Sequence, residues 1–249
     1  MITPAPTGRI ILGATSFADA EGAIGFAVGL ARQTERELVG LLIEEEAILS
    51  CAAGRGAQAV GAAPLSLERM LAAYRRDAEA FQARLAQSGA LRWSFSRRRG
   101  QVLPLLSEIA GQGDLILLGH RRAPLRSGDV VFIPGGAADD AALGLAVQAA
   151  RDIGRPITVL APRALHAGIA AAAAGLGAGA VSMRDAADPG AVMAHLGRAS
   201  VSVVFLGQAG LDPATLARLV DAARAPVVFP AGVILPPGPA GGGAHPPGF

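Results

Sequence analysis

The sequence predicts an α/β fold with parallel sheets, assembled from one unit used twice. Three observations carry this. Residues 9–41 lie without a gap over residues 128–160 at an offset of 119, pairing Ala18 with Ala137, Ala23 with Ala142, Gly25 with Gly144, Ala31 with Ala150, Arg32 with Arg151 and Arg36 with Arg155. Within each copy a short apolar run, Ile10 to Leu12 or Val130 to Ile133, stops at small turn residues and precedes an Ala-rich helical pattern. Such runs do not alternate, and a strand without alternation is covered on both faces, as in a parallel sheet. Finally, DLILLGH (114–120) matches VSVVFLGQ (201–208), placing Gly119 and Gly207 after equivalent strands 88 residues apart. An internal repeat governs the reading of the whole chain, and the difference between the two offsets assigns 31 extra residues to the first copy, between its second and fourth strands.

Taken in order, the first half reads as strand 9–14, helix 20–34, strand 37–43, an expanded region 44–90, strand 91–97, helix 102–111 and strand 114–119. The second half reads as strand 129–134, helix 138–152, strand 156–160, helix 163–175, strand 178–183, helix 188–197, strand 201–206, helix 212–223 and strand 225–229. The first half thus lacks a closing helix and strand, because only His120 to Gly128 separates its fourth strand from the second copy. In the expanded region Ser66 is placed to cap a helix from Leu67 to Gln87. Leu67, Leu71, Tyr74, Ala78, Phe81 and Leu85 fall on one stripe of that helix, read as core-facing. Residues 54–64 are rich in Gly and Ala without periodicity and read as a mobile loop. The tail after Val233 sustains neither helix nor strand and is expected to be disordered. The expected domains are therefore 1–127, with the expansion at 44–90, and 128–233, followed by a 234–249 tail.

Composition narrows the function classes. The 249 residues suit two small domains, each with its own core. Every basic side chain is Arg, which reads as codon bias, and a formal charge of +2 makes no case for a nucleic-acid binder. A lone Cys51, read as a small apolar filler, excludes an internal disulfide and a Cys-based metal cage and fits a reducing compartment. The four histidines show no H-x-x-x-H spacing, so no metal site is expected. No membrane span or signal segment is read in the chain, and a cytoplasmic location is expected.

The strand ending in a small turn before an Ala-rich helix, the Gly100-Gln101-Val102 turn into a helix and the DLILLGH strand together resemble the universal stress protein family over residues 8–230, as a tandem pair. The resemblance implies Rossmann-like domains, of the adenine nucleotide alpha hydrolase-like kind, with parallel sheets of order 3-2-1-4-5 and the first domain truncated. It also implies a ligand crevice at the carboxyl ends of the strands. In nucleotide-binding members of that family an Asp ends the first strand, and glycines after the fourth strand let backbone N–H groups wrap phosphate. Here the Asp position falls on Ser16 in the first half and Gly135 in the second. The glycine motif meets Arg122 in the first half, and Val220 and Asp221 in the second. ATP or AMP binding is accordingly not expected.

What remains of an anion or nucleotide crevice is Thr15, Ser16, Gly119, His120, Arg121 and Arg122 in the first half, supplemented by Arg126 and by Arg97, Arg98 and Arg99 at the end of the third strand. Arginine forks suit phosphate. Equally, these arginines read as solvated charges pairing with Glu44, Glu45 and Glu46. No base, nucleophile or metal cluster supports catalysis, and Asp139 and Asp140 suit the first turn of a helix. The reading is a non-enzymatic regulatory or interaction module of the stress response with an unidentified protein partner. The runner-up is an anion or nucleotide sensor using the first-half crevice. A homodimer is expected through the apolar strand 226–229, because an unpaired edge invites association.

Overall fold

The computed structural model describes residues 8–52, 67–89, 92–120, 128–136, 139–207 and 211–235. The loop 54–64, the Ser66 cap and the tail beyond Leu235 lie outside them. In chain order the elements are β1 (Ile10–Ala14), α1 (Phe17–Gln33), β2 (Leu38–Glu45), α2 (Glu46–Ala52), α3 (Leu67–Gln87), β3 (Trp93–Gly100), α4 (Val102–Ile109) and β4 (Leu115–Leu118). The second half continues with β5 (Asp129–Ile133), α5 (Asp140–Ile153), β6 (Ile157–Ala161), α6 (Arg163–Gly175), β7 (Val181–Asp185), α7 (Pro189–Leu196), β8 (Val201–Leu206), α8 (Pro213–Ala223) and β9 (Val227–Pro230). A short 3-10 turn, Ala231–Val233, follows. The α/β reading with parallel pairing holds, and the repeat is visible in place: β1 and β5 are offset by 119 residues end to end.

The architecture differs from two separate sheets. The nine strands among the described residues form one sheet in the order β3-β2-β1-β4-β9-β8-β5-β6-β7. The second half supplies the expected 3-2-1-4-5 order with β9 as its fifth strand, parallel to β8. On its other side β9 pairs antiparallel with β4, from Leu115 opposite Pro230 to Leu118 opposite Val227. One strand thus serves both halves, whose remaining strands run in opposite directions. The strand 226–229 is therefore no sheet edge. Val227, Val228 and Phe229 are buried, and the two-fold contact expected there is replaced by a pair within the chain.

Alternate residues of the central strands feed two cores. Ile10, Leu12 and Val228 pack with α1, α3, α5 and α6 on one face, while Ile11, Val227 and Phe229 pack with α4, α7 and α8 on the other. The α3 stripe faces its core as read, with Tyr74, Phe81 and Leu85 buried and Leu67, Leu71 and Ala78 packed beside them. Repeat positions keep equivalent jobs. Arg32 donates to the Gly89 carbonyl, as Arg151 does to that of Gly177. Those glycines are again 88 residues apart, which narrows the extra chain of the first half to the α2–α3 region before Gly89. The Gln33 amide donates to the Asp152 carboxylate, 119 residues away, so one repeat position meets its own equivalent where the halves abut.

Candidate functional site

A cleft of about 640 Å³ opens at the carboxyl ends of β1, β2 and β4, between the start of α4 and one face of α8. Thr15, Gly119 and His120 line it, as do Gly100 and Gln101 from the turn before α4. Ser16 does not; it caps α1. Arg121 and Arg122 lie outside the described residues. Pro213, Ala214, Ala217, Val220 and Asp221 of α8 form the opposite wall, a contribution of the second half. Their spacing of three and four residues places them on one helix face. Asp212 starts this helix by accepting the Thr215 N–H at 2.9 Å, and hydrogen bonds from Thr215 hold its carboxyl below the ordinary carboxylate range. The Asp-Pro pair at 212–213 announces a helix start. Nothing local announces that the helix will wall a crevice of the other half.

The turn after β1 is already engaged. The Ser16 hydroxyl donates to Asp19 Oδ2 at 2.6 Å and the Thr15 hydroxyl at 3.0 Å, while Ser16 Oγ accepts the Asp19 N–H at 3.2 Å. An internal carboxylate thus sits at the start of α1, where a helix dipole favours an anion. The second half repeats the device in different chemistry: Asp139 accepts the Gly136 N–H at 3.0 Å and the Gly135 N–H in the turn after β5. Asp140 opens α5, so of the two acids one lies in the first helical turn, as read, and the other closes the preceding turn.

The two glycines after the fourth strands are explained by packing. A Cβ on Gly119 would lie 2.9 Å from the Asp19 carbonyl carbon and closer still to its oxygen, and one on Gly207 would lie 2.6 Å from the Gly135 nitrogen. Each lets the end of its strand approach the turn that begins the first helix of its half.

Two of the three arginines of β3, Arg97 and Arg99, turn to a carboxylate of the neighbouring strand. Buried Glu44 pairs with Arg97 at 3.1 Å and with Arg99 at 3.3 Å, which is the pairing read as the alternative to an anion site. Beside them the Tyr74 hydroxyl accepts the Glu45 N–H at 3.2 Å, fixing the end of β2 against α3; burial pushes the Tyr74 phenol up. Carboxylates remain along the cleft: Asp19, Glu45, Glu46 and Asp221. Cys51 is exposed on α2 and fills no core position, because this helix lies on the surface and turns the thiol outward. Among the described residues no group of three or more His, Cys, Asp or Glu is placed to hold a metal. No helix among them is long and apolar enough to cross a membrane.

No protein-family model and no curated protein matches the chain. Among solved structures, a universal stress protein from Archaeoglobus fulgidus DSM 4304 is similar in backbone course, with a TM-score of 0.48 and 11% identity, over 89% of this chain and 95% of that one.

Proposed function

We propose that this chain is a non-enzymatic regulatory or interaction module of the universal stress protein kind, acting in the cytoplasm, whose crevice does not take a nucleotide. The observation that carries the reading is the pair of self-supplied carboxylates. Asp19 holds the Thr15 and Ser16 hydroxyls, and Asp139 holds the Gly135 and Gly136 N–H groups. A phosphate entering either turn would have to displace a carboxylate from donors that already satisfy it. It would also meet Glu45, Glu46 and Asp221 along the first-half cleft. Lost charge-assisted bonds of this kind are worth roughly 1.5–3 kcal/mol each, enough to offset much of what a phosphate would gain. An exposed free thiol at Cys51 suits a reducing compartment.

The test is direct. Purified protein is denatured and its supernatant analysed for nucleotide, and the folded protein is titrated calorimetrically with ATP, ADP and AMP. No retained nucleotide and no binding heat at millimolar ligand are expected. Stoichiometric nucleotide, or binding abolished by Arg121→Ala with Arg122→Ala, would establish the anion-sensor reading instead.

A further inference from the structure

Among the described residues the sheet ends on β3 at one side and β7 at the other, and the two ends are built differently. β3 carries Arg97, Arg98 and Arg99, all exposed, and the helix over it, α3, faces solvent with Glu68, Arg69, Arg75, Arg76, Glu79 and Arg84. Two β3 strands brought edge to edge would oppose six arginines against two Glu44 carboxylates, and such charge is a recognised guard against edge pairing. β7 reads Val181-Ser182-Met183-Arg184-Asp185. Its own two charges, Arg184 and Asp185, cancel, and Asp185 also meets Arg163 of α6 at 2.9 Å, so the strand has no net charge and no run of like charges.

The helix beside β7 shows the same contrast. α6 exposes Ala164, Ala167, Gly168, Ala170, Ala171 and Ala174, and beyond Arg163 it carries no charged residue. A solvated helix ordinarily puts charged and polar side chains on its outer face. Leu176, at the end of α6 on the way into β7, is one of two large apolar side chains left exposed among the described residues, at 39%.

The backbone specifies how a partner would fit. Ile157 donates to the Ala180 carbonyl at 2.9 Å and Ala186 to the Ala161 carbonyl at 3.0 Å, so the even-numbered residues of this segment point their polar groups at β6. By the alternation of a strand, Val181, Met183 and Asp185 turn their N–H and C=O groups to the free edge. A second β7, related by a two-fold axis through Met183 and running antiparallel, meets every outward N–H with an outward C=O. It sets Met183 opposite Met183, Val181 opposite Asp185 and Ser182 opposite Arg184, with no like charges facing each other. We propose that the chain forms a homodimer through this edge, β7 pairing with β7 and the uncharged faces of α6 closing over the join.

The experiment uses the full chain. Light scattering at tens of micromolar is expected to give twice the 25.0 kDa chain mass. Opposed residues of an antiparallel hydrogen-bonded pair lie about 5.5 Å apart at Cα, so Met183→Cys in a Cys51→Ser background should be joined into a covalent dimer by a short bismaleimide, whereas Ser94→Cys on β3 in the same background should not. Ala171→Glu with Ala174→Glu alters only exposed positions; it should leave circular dichroism unchanged and weaken dimerisation at least tenfold. A monomeric wild type overturns the proposal, as does a dimer that the bismaleimide fails to cross-link in the Met183→Cys variant or that survives the double glutamate variant unchanged.

Discussion

At the scale of single residues the best-anchored polar group is Asp114, buried at the start of β4. It accepts from the Arg9 N–H at 2.6 Å, from the Arg9 guanidinium at 2.7 Å and from the Gly111 N–H at 2.9 Å. Burial pushes its carboxyl up, but the bonds from Arg9 and Gly111 outweigh that and hold it below the ordinary carboxylate value. A carboxyl whose folded value is depressed contributes stability that is complete above the unfolded value of about 3.9. That contribution is lost as pH falls through the folded value. Asp114→Asn should therefore cost about 2 kcal/mol at neutral pH, less than a fully buried pair because the Arg9 side chain keeps 40% exposure and rehydrates. Urea unfolding of both proteins should show the gap closing below about pH 4; a gap independent of pH would mean that the charge contributes nothing. At the equivalent place in the second half buried Ser202 donates to the Gly128 carbonyl at 2.8 Å, so the same tie is made there without ions.

At the scale of elements, the glycine after β4 sets how closely that strand's end approaches the start of α1. Gly119→Ala would drive a methyl group onto the Asp19 backbone. Overpacking of this kind costs about 1–3 kcal/mol, and a drop of at least about 2 °C in melting temperature is expected for a chain of this size. An unshifted melting curve would show that the turn at Thr15 moves freely. The α3 stripe was legible because its positions fall on one helical face, and β3 was placed within three residues. α2 went unread because Glu46–Ala52 spans only seven residues, too few for a period to stand out. Thr15 and Ser16 were legible as hydroxyls at a strand end. Their commitment to Asp19 was not, because a carboxylate three or four residues into a helix reads as ordinary dipole chemistry.

At the scale of the molecule the repeat was legible because its residues match without a gap, whereas the sharing of β9 was not. An apolar run such as Pro226 to Phe229 looks alike whether one neighbour or two cover it, and the missing fifth strand of the first half gives no sign of its replacement. The shared strand has consequences for cooperativity. Trp93 is the only tryptophan and lies on β3, so its fluorescence reports the first half, while circular dichroism reports both. Urea curves from the two probes should coincide; separated midpoints would show that the halves unfold independently. Val228→Lys places an unpaired charge at a position that is 1% exposed between β4 and β8. It should cost more than about 4 kcal/mol and abolish soluble folded protein, whereas a change confined to subunit association would refute the interior place of β9.

The order in which the strands are made gives β9 a further meaning. β4 ends at Leu118, yet the strand that covers its side begins only at Val227. At a synthesis rate of about 10 residues per second the gap is roughly 10 s, during which the nascent first half presents a bare apolar border of Leu115 to Leu118. Among the described strands, the one synthesised last is the one that closes the first sheet to be built. Premature termination within the second half would therefore leave a finished-looking but sticky fragment, a natural client for chaperones.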